Sequence, residues 1–207
     1  DSLSFPTPLS QVIKHGGVLM ASFAERRYRK PGRGVFQSLD DGASWVQMDG
    51  FPPNTSVHAL AVIDDAVYAA TGDLQGLGGM GIYRSIDQQQ WEQIGLEKQW
   101  LKSLLPSADG TLFVGAVESG VFESQHDGTS WVPRSDGLRN WNPTALTVDA
   151  SGRLFGLTLR SLFKHDESSG AWISYGLPER TAPPTPFSFT SLRDGTIVLP
   201  GMGGLLF

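Results

Sequence analysis

The sequence predicts an all-β protein built from repeated four-stranded antiparallel units, and three observations carry that prediction. A short apolar run ending in an aromatic residue recurs as Val35-Phe36, Ile82-Tyr83, Val121-Phe122, Leu162-Phe163 and Leu206-Phe207, at intervals of 47, 39, 41 and 44 residues. A Trp follows the first four of these runs, at Trp45, Trp91, Trp131 and Trp172. The 25 Gly and 13 Pro among 207 residues suit many tight turns, and no stretch shows helical periodicity.

Each unit reads as four strand-like runs. In the second they are His58–Ile63, Ala66–Ala70, Gly81–Ser85 and Trp91–Ile94; in the third, Leu101–Leu105, Thr111–Gly115, Gly120–Ser124 and Ser130–Arg134. The first two runs of successive units are joined by Asp64-Asp65, Asp109-Gly110, Ser151-Gly152 and Asp194-Gly195, residue types that accept the positive φ of a hairpin turn. A period near forty residues with four antiparallel strands per repeat is the pattern of a β-propeller blade. The expected arrangement is one propeller domain over 1–207, with repeats at about 9–49, 57–94, 100–134, 144–175 and 187–207. The fifth repeat stops after its third strand, and residues 2–5 (Ser2-Leu3-Ser4-Phe5) are expected to supply the missing outer strand and close a five-bladed ring. The rival arrangements are a piece of a larger propeller and a homo-oligomer whose chains share blades.

Between the third and fourth strands of the first unit, residues 38–45 read Ser-x-Asp-x-Gly-x-x-Trp, with Ser38, Asp40, Gly42 and Trp45 at the named positions. The third unit keeps Ser124, Gly128 and Trp131 but has His126 where Asp is expected. In the second unit Ser85 and Asp87 reach Trp91 one residue early and lack the Gly, and in the fourth Asp166 reaches Trp172 one residue late. An Asp in such a turn accepts backbone N–H groups, Gly admits positive φ, and Trp anchors the hairpin against a sheet. This pattern resembles the Asp-box, or bacterial neuraminidase repeat, family of propellers. The resemblance implies that the boxes are structural, on the outside of the propeller and away from any active site, and that the chain works outside the cytoplasm, secreted or periplasmic. A calcium reading of Asp40-Asp41 is disfavoured, because a hard cation wants six or more converging oxygens.

Composition narrows the functional classes. A net charge of −5 argues against a general nucleic-acid binder, and no apolar run has the ~20 residues of a membrane-spanning helix. Without Cys there is no thiolate nucleophile or thiolate metal site. The four His residues, His15, His58, His126 and His165, share no metal-ligand spacing, so neither metal nor cofactor is expected. Gly76–Gly81 lacks the following helix that a phosphate loop requires. The Arg-Ile-Pro signature and arginine cluster of sialidases are absent, and the innermost strands hold no carboxylates for glycoside chemistry; Asp64, Asp109, Asp149 and Asp194 fall at the turns that follow.

Antiparallel order sends the loops between second and third strands, and the linkers between units, to the end opposite the boxes. There Arg26, Arg27, Tyr28, Arg29, Lys30 and Arg33 crowd into one loop of an acidic chain, and the linkers bring Trp100, Arg139 and Trp141. Arg forks bind anionic groups and aromatic faces stack on sugar rings or peptides. The expected function is non-enzymatic recognition of a carbohydrate or of a protein or peptide. A glycoside hydrolase or lyase-like enzyme acting on an anionic glycan is the alternative, and a structural assembly module stands third.

Overall fold

The computed structural model describes residues 9–24, 32–72, 81–125, 127–138, 142–158, 161–176, 190–192, 196–201 and 204–206. The chain forms two compact units, residues 1–101 and 102–207. In the first, β1 (Leu9–His15), β2 (Val18–Phe23), β3 (Gly34–Ser38) and β4 (Val46–Gln47) pair in sequence order, as do β5 (Val57–Ile63), β6 (Ala66–Thr71), β7 (Gly81–Ser85) and β8 (Glu92–Gly95). β9 (Leu101–Pro106) begins at the boundary and leads the third sheet, with β10 (Thr111–Ala116), β11 (Gly120–Gln125) and β12 (Val132–Pro133). The fourth sheet is β13 (Ala145–Val148), β14 (Leu154–Leu157), β15 (Ser161–Asp166) and β16 (Ala171–Gly176). A three-stranded sheet follows, β17 (Thr190–Ser191), β18 (Ile197–Gly201) and β19 (Gly204–Leu206). The strand expected over residues 2–5 lies outside the described residues.

The hairpins have a local cause. Gly16 and Gly17 both take positive φ (56° and 85°) between β1 and β2, the requirement of a tight two-residue turn whose twist matches its strands. Asp64 (φ 51°), Gly110 (86°) and Gly152 (79°) serve the equivalent turns. Alternation along the strands then buries one row of side chains against the next sheet. In the first unit that layer holds Met20, Val35, Met48, Leu60, Val67, Tyr83 and Trp91. In the second unit Val121, Leu146, Leu154 and Trp172 form one cluster, and Ala145, Phe155 and Leu157 another. Because each sheet is an up-and-down meander, first-to-second and third-to-fourth turns share one end of it and second-to-third loops occupy the other.

Candidate functional site

At the turn end, the carboxylates are engaged within their own turns. Ser38 Oγ donates to Asp40 Oδ1 at 2.7 Å and accepts the Gly42 N–H at 2.8 Å; Asp40 Oδ1 accepts the Ser44 N–H at 2.8 Å and Oδ2 the Ser44 hydroxyl at 2.6 Å. Gly42 takes φ 94°, and the Trp45 indole N–H closes the turn on its carbonyl at 3.1 Å. In the second sheet Ser85 donates to Asp87 at 3.3 Å, and Asp87 accepts the N–H groups of Gln89 and Gln90, both at 2.9 Å. In the third, Asp127 takes the Thr129 N–H and hydroxyl, and the Trp131 N–H reaches the Gly128 carbonyl at 2.7 Å. Ser124 Oγ, whose sequence neighbour at 126 is His rather than Asp, is buried without a partner. No group of three or more His, Asp or Glu among the described residues is arranged to hold a metal ion.

Strand register shows what the fourth turn does. Leu19 pairs with Ser38, Val67 with Ser85 and Leu112 with Ser124. In the fourth sheet Phe155 pairs with Lys164, so the next position along, opposite Leu154, belongs to His165. His165 thus stands in the serine's place, with Nδ1 3.1 Å from Glu167 Oε1, while Asp166 accepts the hydroxyls of Ser168 and Ser169. The Asp166 expected as the box carboxylate is thus one residue out of place: counted back from Trp172, His165 and Glu167 stand where Ser38 and Asp40 stand before Trp45, and His165 meets Glu167 as Ser38 meets Asp40.

The Ser44 side-chain and backbone hydrogen bonds, with the Ser38 hydroxyl, hold the Asp40 carboxyl at about 2 instead of 3.8. A folded-state value below the unfolded one stabilises the fold above the unfolded pKa, and the contribution is lost as pH falls through the folded pKa. Thermal melts between pH 5 and pH 2 should therefore show an Asp40-dependent loss from about 3.8 down to about 2. Asp40→Asn should flatten that part of the profile; an unchanged acid limb would contradict the role of the carboxylate.

Of the residues expected to recognise a ligand at the opposite end, Arg33 and Trp100 are described. Arg26, Arg27, Tyr28, Arg29, Lys30, Arg139 and Trp141 lie outside the described residues. Arg33 lies within them, its guanidinium 5.0 Å from the centroid of the Phe36 ring and its carbonyl accepting from Gln47 Nε2 at 3.0 Å. The stem of the basic loop is tied to the next linker, for the Gly34 N–H donates to the Thr55 carbonyl at 2.9 Å. A Cβ on Gly32 would come within 2.3 Å of that same carbonyl, so only glycine passes there. A cavity of about 240 Å³ opens beside this stem, lined by Arg33, Gln47, Asp49, Phe51 and Asn54 among others.

Trp100 is half-buried, and its indole N–H points to His58 Nε2 at 3.2 Å. The same nitrogen lies 2.7 Å from the Gly72 carbonyl. One imidazole nitrogen either accepts from Trp100 or donates to Gly72, so a change of tautomer exchanges one hydrogen bond for the other. Gly72, at φ 143°, brings its backbone against Trp100; a Cβ there would lie 2.7 Å from the indole Cδ1. His58 is the residue of this constellation that the sequence did not single out, since its partners arrive from 14 and 42 positions away. Asn142 secures another linker by accepting the Glu118 N–H at 2.8 Å. The described innermost strands β1, β5, β9, β13 and β17 carry apolar, hydroxyl, amide, His and Lys side chains without Asp or Glu.

No family model matches the chain, and no curated protein matches it in sequence. Solved structures do match in shape. The extracellular domain of a one-component system protein (BT4673) of B. thetaiotaomicron aligns with TM-score 0.74 and 16% identity over 97% of this chain and 27% of its own. Virginiamycin B lyase from Staphylococcus aureus gives 0.72 and 11%, over 95% of this chain and 64% of the lyase. YCF48, solved bound to D1 peptide, gives 0.66 and 13%, over 96% and 62%. The chain thus spans about a quarter of the first protein and under two thirds of the other two. Their common architecture, together with the four-stranded meanders described above, establishes that this chain has the β-propeller fold.

Proposed function

We propose that this chain is a recognition propeller of the Asp-box type that binds a carbohydrate or peptide partner bearing an anionic group, through the end of its sheets opposite the Ser-x-Asp turns. The observation that carries the reading is the concentration of Arg26, Arg27, Arg29, Lys30 and Arg33 in one loop of a chain whose net charge is −5. Guanidinium forks match carboxylate, sulfate and phosphate groups, and a basic loop on an acidic body steers anions to itself. The anchored Gly32–Gly34 stem gives the loop a fixed base, and Trp100 supplies an aromatic face at the same end of its own sheets. A neighbour in fold solved with a peptide, and another that is an extracellular domain, support peptide recognition and an extracytoplasmic setting. Hydrolysis or elimination on an anionic glycan fits less well, because the innermost strands offer no carboxylates to serve as acid and base.

The test is a replacement of Arg26, Arg27 and Arg29 together by Ala, screened on glycan and acidic-peptide arrays beside the parent protein. Charged hydrogen bonds contribute about 1.5–3 kcal/mol each, so the triple variant should bind at least about 100-fold more weakly. Its melting temperature should be nearly unchanged. Undiminished binding by the triple variant, or a parent protein that captures no anionic ligand on either array, overturns the proposal.

A further inference from the structure

The turn end of the second unit holds a feature that the recognition reading leaves unused. Between the third and fourth sheets lies a cleft of about 270 Å³ lined by Asp109, Thr111, Glu123, Arg134, His165 and Glu167 among others. Its charged lining differs from the matching layer between the first and second sheets. Gln37 pairs with Val46 as Glu123 pairs with Val132. The Met48 N–H donates to the Val35 carbonyl as the Arg134 N–H donates to the Val121 carbonyl, each at 2.8 Å. By register, then, Glu123 replaces a glutamine, Arg134 a buried methionine and His165 a serine. Three neighbouring positions have become ionisable in one layer, where packing alone requires none.

Carboxylates outnumber cations in the lining of this cleft. Arg134, its guanidinium, is paired with Glu123, whose side chain is 11% exposed. The Glu123 hydrogen bond, together with the charge of Glu167, raises the Arg134 pKa although burial opposes it. Asp109 is held below the usual carboxylate range, chiefly by the Thr111 backbone N–H, and carries its full charge at neutral pH. Three carboxylates therefore face one neutralised guanidinium. His165 is 3% exposed; in the tautomer whose Nδ1–H donates to Glu167, Nε2 is a buried acceptor with no partner among the described residues. A pocket whose three carboxylates outnumber its one guanidinium disfavours anions and favours a cation that also donates hydrogen bonds.

The geometry points to a second ligand site here, one that takes an alkylammonium or guanidinium group from a Lys or Arg side chain or from a small amine. The site is independent of the basic loop and uses none of its residues.

Titration with Nα-acetyl-arginine amide, Nα-acetyl-lysine amide and cadaverine, followed by isothermal calorimetry for every variant and by the imidazole resonances of His165 where that residue is present, tests the inference. Nα-acetyl-citrulline amide serves as the uncharged counterpart of arginine. At least one cationic probe should give a saturable shift that citrulline does not, and the free diamine separates a small-amine site from a side-chain site. Glu167 is 73% exposed, so Glu167→Gln should fold normally and weaken binding about tenfold or more. The combined variant E123Q/R134M/H165S restores the residues found at these register positions elsewhere in the chain. It should stay folded, since both partners of the ion pair are removed together and no buried charge is left unpaired, and it should bind none of the probes. Replacing Arg26, Arg27 and Arg29 should change nothing at this site. No saturable response at about 10 mM, an equal response to citrulline, or full binding by both the Glu167 and the combined variant overturns the site.

Discussion

Gly50→Ala should destabilise the first unit by about 2–5 kcal/mol, whereas Gly137→Ala in the second should cost about 1–3 kcal/mol. Both glycines lie in linkers that cross the backbone of the next sheet's Trp, and both take positive φ, 98° and 82°. The backbone penalty for a side chain at such φ is common to them. What differs is space. A Cβ on Gly50 would sit 2.7 Å from the Trp91 nitrogen and 2.9 Å from its carbonyl oxygen, while one on Gly137 would sit 3.6 Å from the same atoms of Trp172. Backbone at 2.7 Å cannot swing aside as a flexible side chain would, so Gly50→Ala must push the linker away from β8 or displace Trp91 itself. Urea unfolding followed by circular dichroism measures both variants. Equal losses would mean that the linker yields freely and that φ alone sets the cost.

Replacing Trp172 by Ala should cost about 3–5 kcal/mol, the range expected for a buried aromatic side chain in a core. The contrast with Trp91 is the sharper experiment. Both indoles are 6% exposed and both close an intersheet layer, Trp91 against Phe51 at 4.9 Å between centroids and Trp172 edge-on to His165 at 5.3 Å. Only one of them uses its N–H there: Trp172 Nε1 donates to the Arg134 carbonyl at 2.6 Å, whereas Trp91 Nε1 is buried without a partner. Trp172→Phe therefore strands a carbonyl and should cost about 1–3 kcal/mol more than the change in ring size alone. Trp91→Phe removes an unsatisfied donor, which offsets part of its lost area. The expected order is a clearly larger loss for Trp172→Phe, and the reverse order would contradict the hydrogen bond as the source of the difference.

Much of the architecture was legible because its causes are local. The aromatic-ended runs, the Asp and Gly pairs between them and the Trp spacing each describe a strand or a turn that a few consecutive residues specify. Ser38, Asp40, Gly42, Ser44 and Trp45 contain their whole hydrogen-bond pattern within eight positions. The candidate sites were legible only as ingredients. Trp100 was visible as an aromatic residue in a linker, yet its partner His58 comes from the start of another strand and Gly72 from the end of a third. His165 reads as one of four histidines without metal-ligand spacing; its distance from Trp172 matches that of Ser38 from Trp45, and the pairing of Phe155 with Lys164 places it at the serine position.

By itself, then, the sequence determined the repeat, the meander order of each sheet and the two ends to which turns and loops must go, since period-2 alternation and positive-φ residues act through adjacent positions. Only the tertiary structure decided which residues from different repeats face each other across a layer. Arg134 stands three residues after Trp131 as Met48 does after Trp45, and Glu123 directly precedes Ser124 as Gln37 precedes Ser38, so these equivalences are already in the chain. Packing sheet against sheet brings Glu123, Arg134 and His165 together, and it is in that layer, where apolar filling gives way to a partly buried ion pair and an imidazole nitrogen unpartnered among the described residues, that the second unit departs from the first.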